Sequence, residues 1–134
     1  MAERMTIMAK HEAATLLATA TLAVFAFLGS RGLIGTSEGR YAACAQEMIA
    51  LGDYGHPTLN GEPHWSKPPL TYWAIAAGVK LFGYNEWGVR VINALALVAT
   101  VWIIAQLGRR LGGPRTGWLA GMIYATAPVT VLAA

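Results

Sequence analysis

The chain has 134 residues, of which 55% are hydrophobic and only 13% are charged, and its formal net charge is +3 at pH 7. This composition is typical of a protein whose surroundings are largely lipid. The basic residues are scattered rather than gathered in a stripe with aromatic residues, so we expect no nucleic-acid partner. Cys44 is the only cysteine, which excludes an intrachain disulfide and a four-thiolate metal site.

The first apolar run predicts a transmembrane helix over about residues 13–34. Ala13 to Leu28 carries no charge, and about 20 apolar residues suffice to cross a hydrocarbon core of roughly 30 Å. A cleaved secretory signal is the alternative, because Arg4 and Lys10 precede the run. The anchor is favoured, because the run is longer than the apolar core of a typical signal and Arg31 lies where cleavage would occur.

The polar segment that follows, residues 36–86, is predicted to be an external loop with two interfacial helices. The first helix begins after Thr36-Ser37, whose hydroxyl groups can accept hydrogen bonds from the free N–H groups of a helix N-terminus. Apolar side chains then recur at spacings of three and four residues, as on one helical face. These side chains are Tyr41, Cys44, Ala45, Met48 and Ile49.

The second interfacial helix is predicted over Leu70–Phe82. A helix of this length covers only about 20 Å, which is too short to cross a bilayer. Its aromatic residues and Lys80 suit the membrane interface. Between the two helices, the prolines and glycines of Gly52–Pro69 predict an irregular chain with a tight turn at Asn60-Gly61.

A second crossing is predicted over about residues 87–108, and a third begins at about residue 116 and continues to 134. The short loop between them contains Arg109, Arg110 and Arg115. Because positive residues accumulate on the cytoplasmic side, this loop and the N-terminus should be cytoplasmic, and residues 36–86 should be periplasmic or extracellular. The third run ends without a flanking charge or a cap, so we expect the natural protein to continue beyond it.

Several short motifs follow one another along the loop and the next helix. They are Glu38-Gly-Arg-Tyr41, Gln46-Glu-Met48, Gly52-Asp-Tyr54, Pro57-Thr-Leu-Asn-Gly-Glu-Pro63, Lys67-Pro-Pro-Leu70, Tyr72-Trp73 and Leu81-Phe-Gly83. This order resembles the N-terminal part of bacterial GT-C glycosyltransferases of the aminoarabinose transferase and protein mannosyltransferase type. The resemblance covers roughly residues 33–134, and the first motif followed by the lysine–proline motif is its most specific part.

The resemblance implies a multi-pass enzyme of the cytoplasmic (inner) membrane that is several times longer than this chain. Such enzymes transfer a sugar from a polyprenyl-phosphate donor to lipid A, a protein or another acceptor on the external face. The partners would be the polyprenyl-phosphate-linked sugar, the lipid or protein acceptor and membrane lipids. This chain would be inactive alone, because family members bring further loops and helices to the site.

The resemblance also implies roles for charged residues of the loop. Glu38 matches the acidic position near the acceptor, where it would act as a general base or orient the acceptor. Arg40 and Lys67 match basic positions near the donor phosphate. The aminoarabinose enzymes often have an acidic pair where this chain has Ser37-Glu38, and an acidic residue where it has Ser66. We therefore assign no metal and no cofactor to this chain, and leave a divalent cation to the full-length enzyme.

The three charged residue types suit the chemistry, because sugar transfer from a phosphate needs a base near the acceptor and cations near the departing phosphate. Arg40 offers a planar fork for a phosphate, whereas Lys67 is restricted to extended conformations by the proline after it. Less specific explanations exist for each. A helix dipole favours Glu38 in a first turn, and lipid headgroups attract both basic residues.

Tyr41, Trp65 and Tyr72 are the candidate substrate-binding residues, because aromatic rings can stack on a sugar or line a prenyl path. An aromatic belt at the membrane interface explains such residues as well. Three other loop residues carry side chains that could bind a divalent cation, namely His56, Glu62 and His64. Their spacing matches no compact metal motif, so a solvated loop is favoured there.

The sequence thus predicts an all-α polytopic membrane fragment with interfacial helices in its first external loop, and sugar transfer as the activity of the enzyme. The alternative is a non-catalytic membrane scaffold or assembly subunit whose external loop binds a partner. A transporter fragment would need ionisable residues deep within the crossings. The predicted crossings have none there.

Overall fold

The computed structural model describes residues 2–26, 28–33 and 37–127, with side chains from residue 11 onward. In this part of the chain the fold is all-α apart from one small hairpin, which confirms the predicted class. The helices are α1 (Ala2–Phe25), α2 (Glu38–Leu51), α3 (Pro69–Phe82), α4 (Glu86–Gly112) and α5 (Pro114–Thr126). The hairpin pairs β1 (Thr58–Leu59) with β2 (Glu62–Pro63).

Among the described residues, α4 is the one helix that is long and apolar enough to cross a membrane, with a mean hydropathy of 2.0 in its most apolar window. The apolar part of α1 is shorter and runs from His11 to Phe25. The helix over the predicted first crossing ends at Phe25 rather than near Ile34, which itself lies outside the described residues. Gly29 follows in a turn and Ser30 in a bend, and Gly32 has no regular structure; glycine lowers helix propensity.

The chain divides into two compact units, one formed by Met1–Phe27 with Ala94–Ala134 and one formed by Leu28–Asn93. In the first, α1, the C-terminal part of α4 and α5 pack around Leu16, Ala20, Val101, Ala105 and Ala125. Gly117 and Gly121 of α5 allow close packing. A Cβ atom at Gly117 would lie 2.7 Å from the backbone nitrogen of Arg109, and one at Gly121 would lie 2.9 Å from Leu16.

In the unit Leu28–Asn93, α2 packs on α3 with the apolar face that the sequence predicts. Its buried side chains include a cluster of Ala42, Val79 and Val89 and another of Cys44, Met48 and Tyr72. Gly52 ends α2 in the left-handed conformation, with a φ of 69°. Ser37 precedes α2, but its side chain makes no capping hydrogen bond, and Thr36 lies outside the described residues.

The segment Gly52–Pro69 is more regular than predicted, because it contains the hairpin. Its turn is the predicted Asn60-Gly61 pair, whose φ angles are 57° and 80°. Two successive positive φ values define a type I′ turn, whose twist matches that of paired strands. An Asn-Gly pair is a signal for a hairpin, so the two strands could have been predicted from it together with the turn.

Glu47 of α2 ties this hairpin to the helix. Its Oε2 accepts a hydrogen bond of 2.6 Å from the hydroxyl of Thr58, and its Oε1 accepts one of 2.6 Å from the amide of Asn60. Oε2 also accepts from the amide of Gly61 at 3.3 Å. The bond from Thr58, together with those from the two amides, lowers the pKa of the Glu47 carboxyl below its usual value of about 4.5.

Glu47→Gln is expected to loosen the hairpin, because an amide offers one acceptor oxygen where the carboxylate offers two. Hydrogen exchange at the Asn60 and Gly61 amides should become several-fold faster at neutral pH. Because the folded pKa is lowered, the stabilisation by Glu47 is present above the unfolded pKa and is lost as the pH falls through the folded pKa. Glu62→Gln is the control, since Glu62 is exposed; equal exchange rates in both variants would contradict the role of Glu47.

Candidate functional site

A buried arginine and a glutamate pair at the start of α2. Arg90 belongs to the first turns of α4 and is only 3% exposed, and Glu38 is the first residue of α2. Arg90 Nε donates to Glu38 Oε1 at 3.1 Å, and Arg90 Nη2 donates to Glu38 Oε2 at 2.8 Å. This two-bond arrangement is the strong form of an arginine–carboxylate pair. Arg31 approaches the same carboxylate from a more exposed position, with 3.8 Å between its Nη2 and Glu38 Oε1.

The same guanidinium also binds three backbone carbonyl groups of the segment before α2. Nη1 donates to the carbonyls of Leu28 at 2.7 Å and Arg31 at 2.9 Å, and Nη2 donates to that of Gly32 at 3.1 Å. Together with the bonds to Glu38, these use every N–H of a guanidinium. Arg90 therefore provides hydrogen-bond donors to backbone carbonyl groups of the non-helical segment that follows α1.

Lys67 lies directly before α3 and is exposed. Pro68 follows it in an extended conformation, with φ −58° and ψ 147°, and Pro69 is the first residue of α3. The Lys67 ammonium nitrogen is 5.8 Å from the centroid of the Tyr41 ring, within the range of a cation–π contact. The N-terminus of α3 lies beside Lys67 in the chain and presents its positive dipole end. Pro68 and Pro69 have no N–H group, and the Thr71 amide donates to the Pro68 carbonyl at 3.0 Å. This arrangement favours an anion.

Three rings pack near Lys67, and we call Tyr41, His64 and Tyr72 the aromatic cluster. Tyr72 is fully buried, and its ring meets that of Tyr41 edge-on with 6.1 Å between centroids. The centroid of the His64 ring is 6.4 Å from that of Tyr41. The Tyr72 hydroxyl donates to the His64 carbonyl at 3.2 Å, and Ser66 Oγ lies 2.8 Å from His64 Nε2. These contacts hold the segment that carries Lys67.

The structure therefore brings together three of the predicted site residues, namely Lys67, Tyr41 and Tyr72. Arg40 is exposed and lies two positions after Glu38, about 200° around the helix. Tyr41 lies three positions after Glu38, so these two side chains are neighbours along α2. Trp65 is 58% exposed, and its ring meets that of His56 rather than those of the aromatic cluster.

The loop residues with metal-binding side chains turn to separate partners. His56 Nδ1 lies 2.9 Å from Asp53 Oδ2, whereas His64 contacts Ser66. The hydrogen bond from the Gly55 amide and the contact with His56 lower the pKa of the Asp53 carboxyl. In the described parts of the chain, no group of three or more His, Cys, Asp or Glu residues is placed to hold a metal ion.

Sequence reasoning missed Arg90, which lies among the first residues of the predicted second crossing and was given no role. The partner, Glu38, lies far away in the sequence, and no spacing rule relates the two. The one available signal was an arginine in the first turns of a long apolar helix, because a charge at such a position needs a partner or water.

Comparisons with known proteins agree with this architecture. The family model of dolichyl-phosphate-mannose-protein mannosyltransferases matches residues 66–134. The undecaprenyl phosphate-alpha-4-amino-4-deoxy-L-arabinose arabinosyl transferase 1 of Pseudomonas fluorescens is 38% identical over 108 residues, which make up 80% of this chain and 20% of that protein.

Two solved structures of ArnT from Cupriavidus metallidurans also resemble the chain. The apo structure has a TM-score of 0.83 and 32% identity, and the match covers 93% of this chain and 23% of that one. The structure bound to undecaprenyl phosphate has a TM-score of 0.76 and 30% identity, with coverages of 86% and 22%.

The fold is that of a polytopic membrane glycosyltransferase of the GT-C class. The chain belongs to the family of dolichyl-phosphate-mannose-protein mannosyltransferases, and its similarity to the aminoarabinose transferases confirms the resemblance that its loop motifs carry. It spans about a fifth of the length of the curated relatives that it matches.

Proposed function

We propose that this chain forms part of the donor site of an enzyme that transfers a sugar from a polyprenyl phosphate to lipid A or another acceptor. The transfer takes place on the external face of the cytoplasmic membrane, where the loop 36–86 lies. The names of the relatives support a sugar donor linked to undecaprenyl phosphate, and one ArnT structure is bound to undecaprenyl phosphate. The single observation that carries the proposal is Lys67, held over Tyr41 beside the N-terminus of α3.

The chemistry explains why cations are needed there. The acceptor oxygen forms a bond to the anomeric carbon of the sugar, and the bond from that carbon to the phosphate oxygen breaks. The polyprenyl phosphate leaves with the electron pair, so negative charge grows on its oxygen during the step. The ammonium of Lys67 and the positive dipole end of α3 can stabilise that charge without rearranging.

Arg40 is the second cation of the proposed donor site. It is exposed on α2 and immediately precedes Tyr41, whose ring lies under the Lys67 ammonium. A guanidinium can bind two phosphate oxygens at once and supplies a geometry that the lysine cannot. Arg40 is thus on α2 and Lys67 is two residues before α3, and these two helices pack together in this unit.

The aromatic candidates take different roles in the proposal. Tyr41 supports the Lys67 ammonium, and the buried Tyr72 holds the segment from His64 to Lys67 through its hydroxyl. The exposed Trp65 is the ring available to a sugar or a prenyl chain. The acceptor proton must pass to a base, for which Glu38 remains a sequence-based prediction. Both Glu38 oxygens accept hydrogen bonds from Arg90.

Binding of undecaprenyl phosphate to the full chain in lipid nanodiscs tests the proposal. Lys67→Ala should weaken binding by about tenfold or more, because a hydrogen bond to a charged group contributes about 1.5–3 kcal/mol. Lys80→Ala is a matched control, since the Lys80 ammonium also lies over a tyrosine ring, 4.9 Å from the centroid of Tyr54, at the other end of α3. That variant should bind as the wild type does.

The same measurement separates the enzyme from the scaffold. A non-catalytic scaffold has no use for a phosphate at Lys67, so Lys67→Ala and Lys80→Ala would then bind undecaprenyl phosphate equally. Equal binding would overturn the proposed donor site. Inorganic phosphate as competitor shows whether the headgroup is recognised, because it lacks the prenyl chain.

A further inference from the structure

We infer that Arg90 and Glu38 form a positioning pair for the donor site, and that neither touches the donor. The inference rests on the proposed function of Lys67 and Arg40 and assigns a role to the buried charge pair of the same unit. A positioning residue acts through other residues, here by fixing the start of α2. The first turn of α2 carries Arg40, and Tyr41 follows it directly.

The geometry excludes Arg90 as a phosphate-binding residue. Arg90 is 3% exposed, and the N–H groups of its guanidinium are all used by Glu38 and by the carbonyls of Leu28, Arg31 and Gly32. A phosphate could bind only by displacing one of these partners, which would leave a buried carbonyl or carboxylate without its donor. Arg90 is therefore a fixed part of the fold.

Glu38 is likewise engaged. Each of its carboxylate oxygens accepts a hydrogen bond from Arg90, and Arg31 adds a further positive charge nearby. A proton taken up by either oxygen would compete with a hydrogen bond that Arg90 already donates to it. Positioning therefore describes this carboxylate better than acceptance of a proton from the acceptor.

The pair reaches the donor site through a short path of contacts. Arg90 joins the segment 28–32 to the first residue of α2, so that the direction in which α2 begins is fixed from both sides. Tyr41 lies one helical turn after Glu38, and the Lys67 ammonium lies over its ring. A change in the direction of α2 therefore moves the surface on which Lys67 rests, as well as the base of the Arg40 side chain.

A double-mutant cycle on undecaprenyl phosphate binding tests this path, with the full chain in lipid nanodiscs. Arg90→Lys keeps a positive charge but cannot bond both Glu38 oxygens and the carbonyls, and it should weaken binding by about tenfold. In a Lys67→Ala background the same change should weaken binding clearly less than tenfold, because Lys67, one of the two cations that the pair positions, is absent and only Arg40 remains. Lys80→Ala is the control and should bind within about twofold of the wild type.

Cys44 reports whether each variant is folded. It is fully buried in the core between α2 and α3, and burial raises the pKa of its thiol, so it should react with a thiol reagent only when this core opens. If Cys44 of Arg90→Lys becomes reactive, Glu38→Gln replaces it in the cycle. Glutamine keeps the shape of the side chain and one acceptor oxygen, and its expected effects are the same.

The outcomes of the cycle are distinct. Wild-type affinity in both Arg90→Lys and Glu38→Gln overturns the positioning pair, and so does a full tenfold loss in the Lys67→Ala background. If Lys67→Ala alone leaves binding unchanged, the proposed donor site fails instead. Weakened binding in Lys67→Ala and in Arg90→Lys, with a further loss in the double variant that is clearly smaller than tenfold, supports both.

The pH profile of sugar transfer by the full-length enzyme distinguishes positioning from base catalysis. Glu38→Gln should raise KM for the donor more than it lowers kcat, and the fall of kcat on the acid side should persist. Loss of that acid-side fall, together with a decrease in kcat of about 10²-fold or more, would identify Glu38 as the base. That result would overturn the positioning role.

Discussion

Replacing Lys67 by alanine in the full-length enzyme is expected to lower kcat for sugar transfer by about 10²–10³-fold. The ammonium faces a charge that grows as the phosphate departs, so it stabilises the transition state more than the bound donor. The decrease should therefore appear in kcat as well as in KM. Steady-state kinetics with a polyprenyl-phosphate-linked sugar as the varied substrate measures both.

Lys67→Arg and Lys80→Ala complete this experiment. Arginine keeps the charge and can still lie over the Tyr41 ring, but its planar head is larger, so it should recover part of kcat. Lys80→Ala removes a lysine from the C-terminal end of α3 and should leave kcat within about twofold. A kcat for Lys67→Ala that equals the wild-type value would show that the departing phosphate is stabilised by other groups.

The helices of this chain could be predicted from the sequence because their signals are local. The apolar spacing that begins at Tyr41 identified the buried face of α2, and the proline pair before Leu70 and the glycine at 83 marked the ends of α3 within a residue. These signals depend on helical periodicity and on backbone chemistry, which act over a few residues. The end of α1 could not be predicted from local signals in this way. The backbone carbonyls that follow α1 are bound by Arg90, whose side chain is far away in the sequence.

The site could be predicted only in part for the same reason. Lys67 and Tyr41 were recognised by their motifs, yet their contact depends on how α2 and α3 pack, which no local pattern determines. Arg90 satisfies a carboxylate and three carbonyls from a position 52 residues after Glu38. Such a pairing is decided by the requirement that every buried polar group has a partner, a condition on the whole fold.

The Asn-Gly pair predicted the turn, but the two strands that it joins were not predicted. Its two residues take positive φ values, and the strands on either side are only two residues long. Strands so short do not alternate visibly in hydrophobicity, so the loop composition dominated the sequence-based prediction. Glu47 compensates for this shortness, because its carboxylate binds both amides of the turn from the neighbouring helix.

Gly78→Ala is expected to destabilise the unit Leu28–Asn93, although glycine-to-alanine changes inside helices usually stabilise by about 1 kcal/mol. A Cβ atom at Gly78 would collide with the backbone carbonyl oxygen of Gly88 in α4 and lie 3.2 Å from Cγ1 of Val91. A backbone carbonyl cannot move without moving its helix, so overpacking should cost about 2–3 kcal/mol and exceed the gain in helix propensity. The sign of the effect therefore reports how closely α3 and α4 approach.

Unfolding of the chain by increasing SDS in mixed micelles, followed by far-UV circular dichroism, measures this change. Ala77→Leu is the matched control, because Ala77 is the preceding residue of the same helix and is exposed; it should unfold within about 0.5 kcal/mol of the wild type. Because Gly88 lies two residues before Arg90, Gly78→Ala should also shift the guanidinium from its partners and expose Cys44 to a thiol reagent at lower SDS. If Gly78→Ala were more stable than the wild type, the added Cβ atom would not collide with the Gly88 carbonyl, and α3 and α4 would lie farther apart than the structure places them.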